Sequence, residues 1–131
     1  MNVGRLELSL KVASLEASRD FYSKLGFRAV NGSEAEGYLI LFNGISALGL
    51  YQGHVPANLL NFRGGDVFAV AAELEGAGLK LDKPAELESD GSVGAWLTDP
   101  DGNRIYLNTA PGEGTGVSCF ADAFAALTAH G

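Results

Sequence analysis

The amino-acid sequence repeats one structural plan at an interval of 52 residues. Three pairs of positions show this interval: Glu7 and Leu59, Ser14 and Asp66, Gly26 and Gly78. Serine and aspartate are preferred at the N-cap of a helix, and glycine is preferred just beyond its last turn. A single strand–helix–strand–strand–strand unit cannot cover its own sheet, so two such units should pack together. The repeat therefore restricts the chain to a fold built from two similar α+β units.

The first copy has the pattern of a βαβββ unit. Residues Leu6 to Val12 alternate between apolar and polar types, which predicts a strand with one buried face. Ser14 then begins a helix that carries an apolar stripe and ends at Gly26. Three more strands are predicted after this helix: Phe27 to Val30, Gly37 to Asn43 and Ile45 to Gln52. The Asn-Gly dipeptide between the last two favours a tight hairpin turn.

The second copy has the same order of elements. Asp66 begins its helix and Gly78 ends it. Four strands are predicted around this helix: Leu59 to Phe62, Leu79 to Leu81, Val93 to Thr98 and Arg104 to Asn108. The last two are joined by Asp99-Pro100-Asp101-Gly102, in which proline takes the second position of a β-turn. We expect two βαβββ units in tandem that form a curved sheet around a cleft.

The 131 residues are expected to form one domain, with units at about residues 5–52 and 58–109. A glycine-rich stretch, residues 111–116, has the composition of a flexible linker. Beyond it, Phe120, Phe124 and Leu127 recur at helical spacing. This spacing predicts an extra amphipathic helix at about residues 118–129.

Charge and composition exclude several classes of partner and site. A net charge of −7 argues against a nucleic-acid partner, and it favours a neutral or cationic small molecule. One cysteine and two histidines exclude an internal disulfide and a three-histidine metal site within one chain. No apolar run is long enough for a membrane helix, and the first residues lack a signal-peptide pattern. We therefore expect a cytoplasmic protein with no membrane partner.

Two groups of residues form a recognisable pair of motifs. The first group is Leu15 to Tyr22 followed by Leu25-Gly26-Phe27, and the second is Leu74 to Gly78 followed by Asp99 to Asn103. Together they resemble the glyoxalase, bleomycin-resistance and extradiol-dioxygenase superfamily, also called vicinal oxygen chelate. The order and spacing match over about residues 5 to 109. The resemblance implies the paired βαβββ fold. In the superfamily's enzymes it also implies a divalent metal that binds two neighbouring substrate oxygens.

The resemblance places the superfamily's metal ligands on four positions of this sequence. They fall at Glu7, at Leu59, around Leu48 to Leu50, and at Tyr106. Only Glu7 is a good donor, and one carboxylate does not hold a catalytic divalent ion well. We therefore expect no divalent metal and no other cofactor.

The period of two along the strands predicts that Glu7, Ser9 and Asn61 point into the expected cleft. Polar side chains buried there need a hydrogen-bond partner or a function. The candidate ligand-binding residues are Glu7, Tyr51, Asn61, Trp96 and Tyr106. Glu7 would accept a hydrogen bond or act as a general base, and Tyr106 would line an aromatic pocket. Trp96, the only tryptophan, is either a stacking wall or a core residue, because a one-residue change of register reverses its face. His54 is expected to be a solvated loop residue.

Bleomycin-resistance proteins of this superfamily lack the metal and sequester a drug, usually as homodimers. The resemblance therefore implies a homodimer that binds a small molecule in a metal-free cleft. One alternative is a lyase, isomerase or dioxygenase, either metal-dependent or using Glu7 as acid or base. Another alternative is an interaction module whose cleft is filled by side chains.

Overall fold

A computed structural model of the chain describes residues 1–109. These residues divide into two compact units. The first, called here the N-terminal unit, is Glu7–Leu59. The second, the C-terminal unit, combines Met1–Leu6 with residues 60–109. The extra helix expected at about residues 118–129 lies outside the described residues.

The N-terminal unit takes one helix and four strands from the chain. In order these elements are β1 (Gly4–Lys11), α1 (Leu15–Ser23), β2 (Arg28–Ser33), β3 (Tyr38–Phe42) and β4 (Ala47–Tyr51). The strand order is β2-β3-β4-β1. Strand β1 runs parallel to β4, and the other neighbouring strands are antiparallel.

The C-terminal unit repeats this arrangement. Its elements are β5 (Leu59–Gly64), α2 (Val67–Gly76), β6 (Lys83–Leu87), β7 (Val93–Thr98) and β8 (Arg104–Thr109). The strand order is β5-β8-β7-β6, with β5 parallel to β8 and the remaining neighbours antiparallel. The α+β class and the two βαβββ units read from the sequence are confirmed.

Both helices begin after the predicted N-caps, but they end before the predicted glycines, α1 at Ser23 and α2 at Gly76. The side chains of Ser14 and Asp66 each accept a hydrogen bond from the backbone amide three residues on, at 3.2 Å in both cases. Each bond satisfies an amide that the first turn of the helix leaves unpaired. After the helices, Gly26 and Gly78 have φ of +91° and +90°. Residues other than glycine rarely adopt this backbone conformation. Gly26 and Gly78 therefore stop the two helices in the same way.

Each helix packs against one face of its own strands. In the N-terminal unit the buried cluster under α1 consists of Leu15, Leu39, Leu41 and Leu50. In the C-terminal unit the cluster under α2 consists of Val67, Val70, Val93, Ala95, Leu97 and Leu107, with Phe62 packed against it. Because neighbouring strand residues point to opposite faces, the residues between these core positions lie on the face away from the helix.

The strand predicted at Leu79 to Leu81 is wrong, since the corresponding strand, β6, begins at Lys83. The amide of Leu79 donates to the carbonyl of Leu74 at 3.0 Å, so this residue completes the end of α2. Leu79 is also half exposed, at 50%. The apolar type of Leu79 therefore reflects its place at the end of α2 and does not mark the start of a strand. Within residues 1–109, no helix is long and apolar enough to cross a membrane.

Replacing Leu41 by alanine should destabilise the chain, because Leu41 is 0% exposed under α1. We expect a loss of about 2–5 kcal/mol in the free energy of unfolding, since such a change leaves a cavity. The matched control is Leu87→Ala, at a leucine that is 68% exposed. The control should change stability by less than about 0.5 kcal/mol. Equal losses for both variants in chemical denaturation would contradict the assigned core.

Candidate functional site

The strand face away from α1 carries a set of polar and aromatic residues. Glu7 and Ser9 of β1 are each only 1% exposed. Ser9 is paired in register with Gly49 of β4, and Tyr51, two residues further along β4, is paired with Tyr38 of β3. This surface is called the N-terminal face below. It contains two of the predicted site residues, Glu7 and Tyr51.

A hydrogen bond joins Glu7 to Tyr51. The Tyr51 hydroxyl donates to Oε1 of Glu7 at 3.1 Å. Gly49 permits this contact because it has no side chain. A Cβ at Gly49 would lie 2.6 Å from the Tyr51 ring and still closer to Oε1 of Glu7. The Tyr51 phenol therefore lies over Gly49, in the space that the side chain of another residue at position 49 would fill.

Two further aromatic residues hold Tyr51 in place. Its ring stacks on Tyr38, with centroids 6.0 Å apart and planes 11° apart. The His54 ring meets both tyrosines edge-on at 6.4 Å. His54 Nε2 also lies 2.7 Å from the carbonyl oxygen of Glu36. His54 is exposed, as its loop position predicted, and it also anchors this aromatic group.

Replacing Gly49 by alanine should destabilise the N-terminal unit, since the new methyl group would overlap both Tyr51 and Glu7. We expect a loss of about 1–3 kcal/mol in the free energy of unfolding, as for other overpacked sites. The control is Gly76→Ala in α2, where an added Cβ meets nothing within 4 Å. That change should be neutral or stabilising by up to about 1 kcal/mol, because alanine favours helix. Denaturant titration that ranks the two variants in the opposite order would refute the argument.

The strand face away from α2 is the C-terminal face. Its centre is a stack of Trp96 on β7 and Tyr106 on β8, with ring centroids 4.2 Å apart and planes 21° apart. Because their neighbours Ala95, Leu97 and Leu107 form the core under α2, both rings lie on the opposite side of the sheet. The structure thus settles which face Trp96 occupies. Both rings are half-buried.

Arg104 borders this stack. Its guanidinium carbon lies 5.0 Å from the centroid of the Trp96 ring, within the range of a cation–π interaction. Arg104 Nε is also 3.9 Å from Oδ2 of Asp82. The same carboxylate oxygen accepts a hydrogen bond from the Thr98 hydroxyl at 2.5 Å. The Arg104 guanidinium therefore lies over the Trp96 ring and forms a long ion pair with Asp82.

Two asparagines occupy the buried part of the C-terminal face. Asn61 and Asn108 are each 7% exposed, and Nδ2 of Asn108 donates to Oδ1 of Asn61. Asn61 therefore lies on the predicted face, while its neighbour Phe62 packs against the core under α2. Buried amides need hydrogen-bond partners, and this pair supplies one bond between its own members.

The Tyr106 phenol is held in its neutral form. Burial raises the pKa of Tyr106 above the usual value, and the negative charges of Glu88 and Asp90 raise it further. Arg63 acts in the opposite direction. The ring lies over Gly94, where an added Cβ would be 2.7 Å from the phenol oxygen. A neutral phenol can donate a hydrogen bond across the whole physiological range of pH.

The raised pKa of Tyr106 makes stability depend on pH at the alkaline end. As pH rises, the unfolded state loses the phenol proton first, at about pH 10, while the folded state retains it. The stabilising contribution is present below about pH 10 and is lost as pH rises through the folded-state pKa. We expect a smaller alkaline loss in Tyr106→Phe. Denaturation at several pH values tests this, and identical pH profiles for the variant and the parent would contradict it.

Comparisons with known proteins identify this arrangement. No protein-family model matches the chain, and no curated protein sequence matches it. A glyoxalase/bleomycin resistance protein/dioxygenase superfamily member from Vibrio splendidus 12B01 matches with a TM-score of 0.65 at 16% identity, over 81% of this chain and 98% of that one. The chain has the fold of that superfamily. The resemblance read from the sequence is confirmed at the level of the fold.

Two other solved structures share this fold. An NAD-dependent benzaldehyde dehydrogenase from Legionella pneumophila matches with a TM-score of 0.66 at 15% identity, over 80% of this chain and 98% of that one. A hypothetical protein from Bacillus halodurans C-125 matches with a TM-score of 0.59 at 13% identity, over 79% and 91%. At these identities the likeness extends to the fold alone.

The residues present do not fit the divalent metal that the sequence resemblance implies. The position expected near Leu48 to Leu50 is Gly49, the residue on the same face as Glu7, and its side-chain space is filled by Tyr51. Leu59 has no donor atom, and Tyr106 is a neutral phenol stacked on Trp96. Metal sites in proteins combine several carboxylate, imidazole or thiolate donors. Among residues 1–109, no group of three or more His, Cys, Asp or Glu side chains could hold an ion.

The predicted site residues fall into two groups. Glu7 and Tyr51 meet on the N-terminal face, whereas Asn61, Trp96 and Tyr106 belong to the C-terminal face. Sequence reasoning missed several residues of these faces: Tyr38, Gly49, Gly94, Arg104 and Asn108. The period of two along β7 and β8 could have found Arg104 and Asn108, since both share the alternation of Tyr106. The enclosed cleft stays a prediction.

Proposed function

We propose that the chain binds a small planar organic molecule on the C-terminal face without using a divalent metal. The observation that carries this proposal is the half-buried stack of Trp96 and Tyr106, with centroids 4.2 Å apart, on the strand face opposite to the one that α2 covers. Aromatic surfaces of this kind bind planar ligands by stacking, with polar groups at the edge fixing orientation. Sequestration of a drug is one form that such binding would take.

Accessibility favours the C-terminal face over the N-terminal face as the part that meets the ligand. Glu7 and Ser9 are almost completely buried, at 1% exposure each, so a ligand could reach them only if the structure opened. Trp96 and Tyr106 retain exposed area, and Arg104 beside them is exposed. The hydrogen bond from Tyr51 to Glu7 then fixes the supporting strands, a role that does not need a ligand.

Calorimetry with 2-naphthalenemethanol, a neutral planar probe, tests the proposal. We expect Trp96→Ala to weaken binding about tenfold, because stacking contributes about 0.5–1.5 kcal/mol beyond buried area. Phe68→Ala removes an exposed ring from α2 and should leave affinity unchanged. Trp96→Leu, which keeps more apolar volume, serves if the alanine variant fails to fold. Unchanged affinity in both Trp96 variants would reject this face as the binding surface.

Metal dependence is tested separately. We expect no stoichiometric binding of Zn²⁺, Ni²⁺, Mn²⁺ or Fe²⁺ in calorimetry, and no change in probe affinity after treatment with a chelator. Glu7 is the one carboxylate among the four implied ligand positions, and Tyr51 already donates to it. Tight, stoichiometric binding of one of these ions that is lost in Glu7→Gln would overturn the metal-free proposal.

A second candidate function is metal-independent acid–base catalysis by Glu7. The hydrogen bond from Tyr51 favours it, since it fixes the orientation of the Glu7 carboxylate. In that case Glu7→Gln would abolish turnover, measured as solvent-deuterium exchange into a ketone probe such as dihydroxyacetone. If the chain only binds its ligand, the parent protein gives no exchange above the buffer rate.

A further inference from the structure

Two cationic side chains flank Trp96 on the C-terminal face. Lys83 of β6 is paired in register with Trp96, and directly paired residues of antiparallel strands point to the same side. Arg104 lies on the other neighbour of β7, with its guanidinium carbon 5.0 Å from the indole centroid. Trp96 therefore has a cationic residue on each of its two neighbouring strands, and the guanidinium of Arg104 contacts its ring.

Both cations are held by weak, exposed ion pairs. Lys83 Nζ is 3.8 Å from Oε2 of Glu86, and Arg104 Nε is 3.9 Å from Oδ2 of Asp82. Their side chains are 52% and 46% exposed. Such pairs contribute little to stability, so exchanging either carboxylate for another anion costs little. Asp82 is itself held by the Thr98 hydroxyl, so it stays in place if Arg104 turns away.

We propose that the ligand of the C-terminal face is a planar aromatic molecule that carries an acidic group. The ring takes the place of the Arg104 guanidinium on Trp96, and the acidic group pairs with Arg104 and Lys83. Arginine suits this role because its planar fork can bind a carboxylate through two parallel hydrogen bonds. This inference rests on the proposed function and adds the ligand's charge to it.

The net charge of −7 favours a cationic ligand, whereas the two cationic residues next to Trp96 favour an anionic one. We base the inference on these neighbouring residues. At physiological ionic strength exposed charges are screened beyond about 8 Å. A ligand stacked on Trp96 is therefore affected by the nearby charges alone: Arg104 and Lys83 with their carboxylate partners, and the charges that act on Tyr106, which are Glu88 and Asp90 on one side and Arg63 on the other. The distant acidic residues contribute mostly to the rate of encounter.

Three probes of matched shape test the charge preference: 2-naphthoate, 2-naphthalenemethanol and 2-naphthylmethylammonium. In calorimetry at physiological ionic strength we expect the anion to bind at least about threefold tighter than the alcohol, and the cation to bind more weakly than both. Arg104→Gln should abolish the preference, Lys83→Gln should reduce it, and Arg104→Lys should retain part of it. Lys24→Gln, which removes a positive charge after α1, is the matched control and should leave the preference unchanged.

The possible results separate this inference from the proposed function. If the three probes bind equally, or the cation binds tightest, the charge assignment is wrong although the surface binds rings. If none of the probes binds, or if Trp96→Leu binds all of them as the parent does, the proposed function fails and this inference fails with it. Loss of the preference when salt is raised, together with its loss in Arg104→Gln, supports the assignment.

Discussion

The covering of one strand face by one helix is the constraint on which the rest of each unit depends. Once the cluster under α1 or α2 is buried, the period of two along every strand fixes which residues lie on the other side. This rule alone places Glu7 and Ser9 in one unit, and Trp96 and Tyr106 in the other, on the face away from the helix. The duplicated motif thus produces two comparable surfaces.

Those surfaces have diverged in chemistry although their frameworks match. On the N-terminal face the phenol of Tyr51 crosses Gly49 and donates to a deeply buried carboxylate. On the C-terminal face the phenol of Tyr106 crosses Gly94 and stacks on an indole. In both units a glycine on a strand gives a tyrosine room to lie flat. The contact between Tyr51 and Glu7 is polar and closed to solvent, whereas the stack of Tyr106 on Trp96 leaves aromatic area exposed.

Features set by neighbouring residues were predictable from the sequence, and features set by packing were not. The caps at Ser14 and Asp66 and the glycines after both helices depend on a few consecutive residues, so their types were sufficient. The start of β6 was predicted wrongly because Leu79 is apolar but completes the end of α2.

The candidate site was predicted only in part for the same reason. The face of Trp96 needed the register of β7 against β8, which no short motif encodes. The role of Gly49 could not be predicted from the sequence. It depends on Tyr51 and Glu7, which contact each other over this glycine in the folded chain. Glu7, by contrast, could be singled out because a carboxylate at an inward strand position is unusual.

The distribution of aromatic residues gives each unit its own spectroscopic signal. The one tryptophan of the chain lies in the C-terminal unit, in contact with Tyr106 and Arg104. The other three tyrosines, Tyr22, Tyr38 and Tyr51, all belong to the N-terminal unit. Indole emission therefore follows the C-terminal unit, whereas three of the four tyrosines contribute to near-ultraviolet dichroism from the N-terminal unit. Whether the duplicated halves melt as one cooperative block or in sequence can be read from a single unlabelled sample.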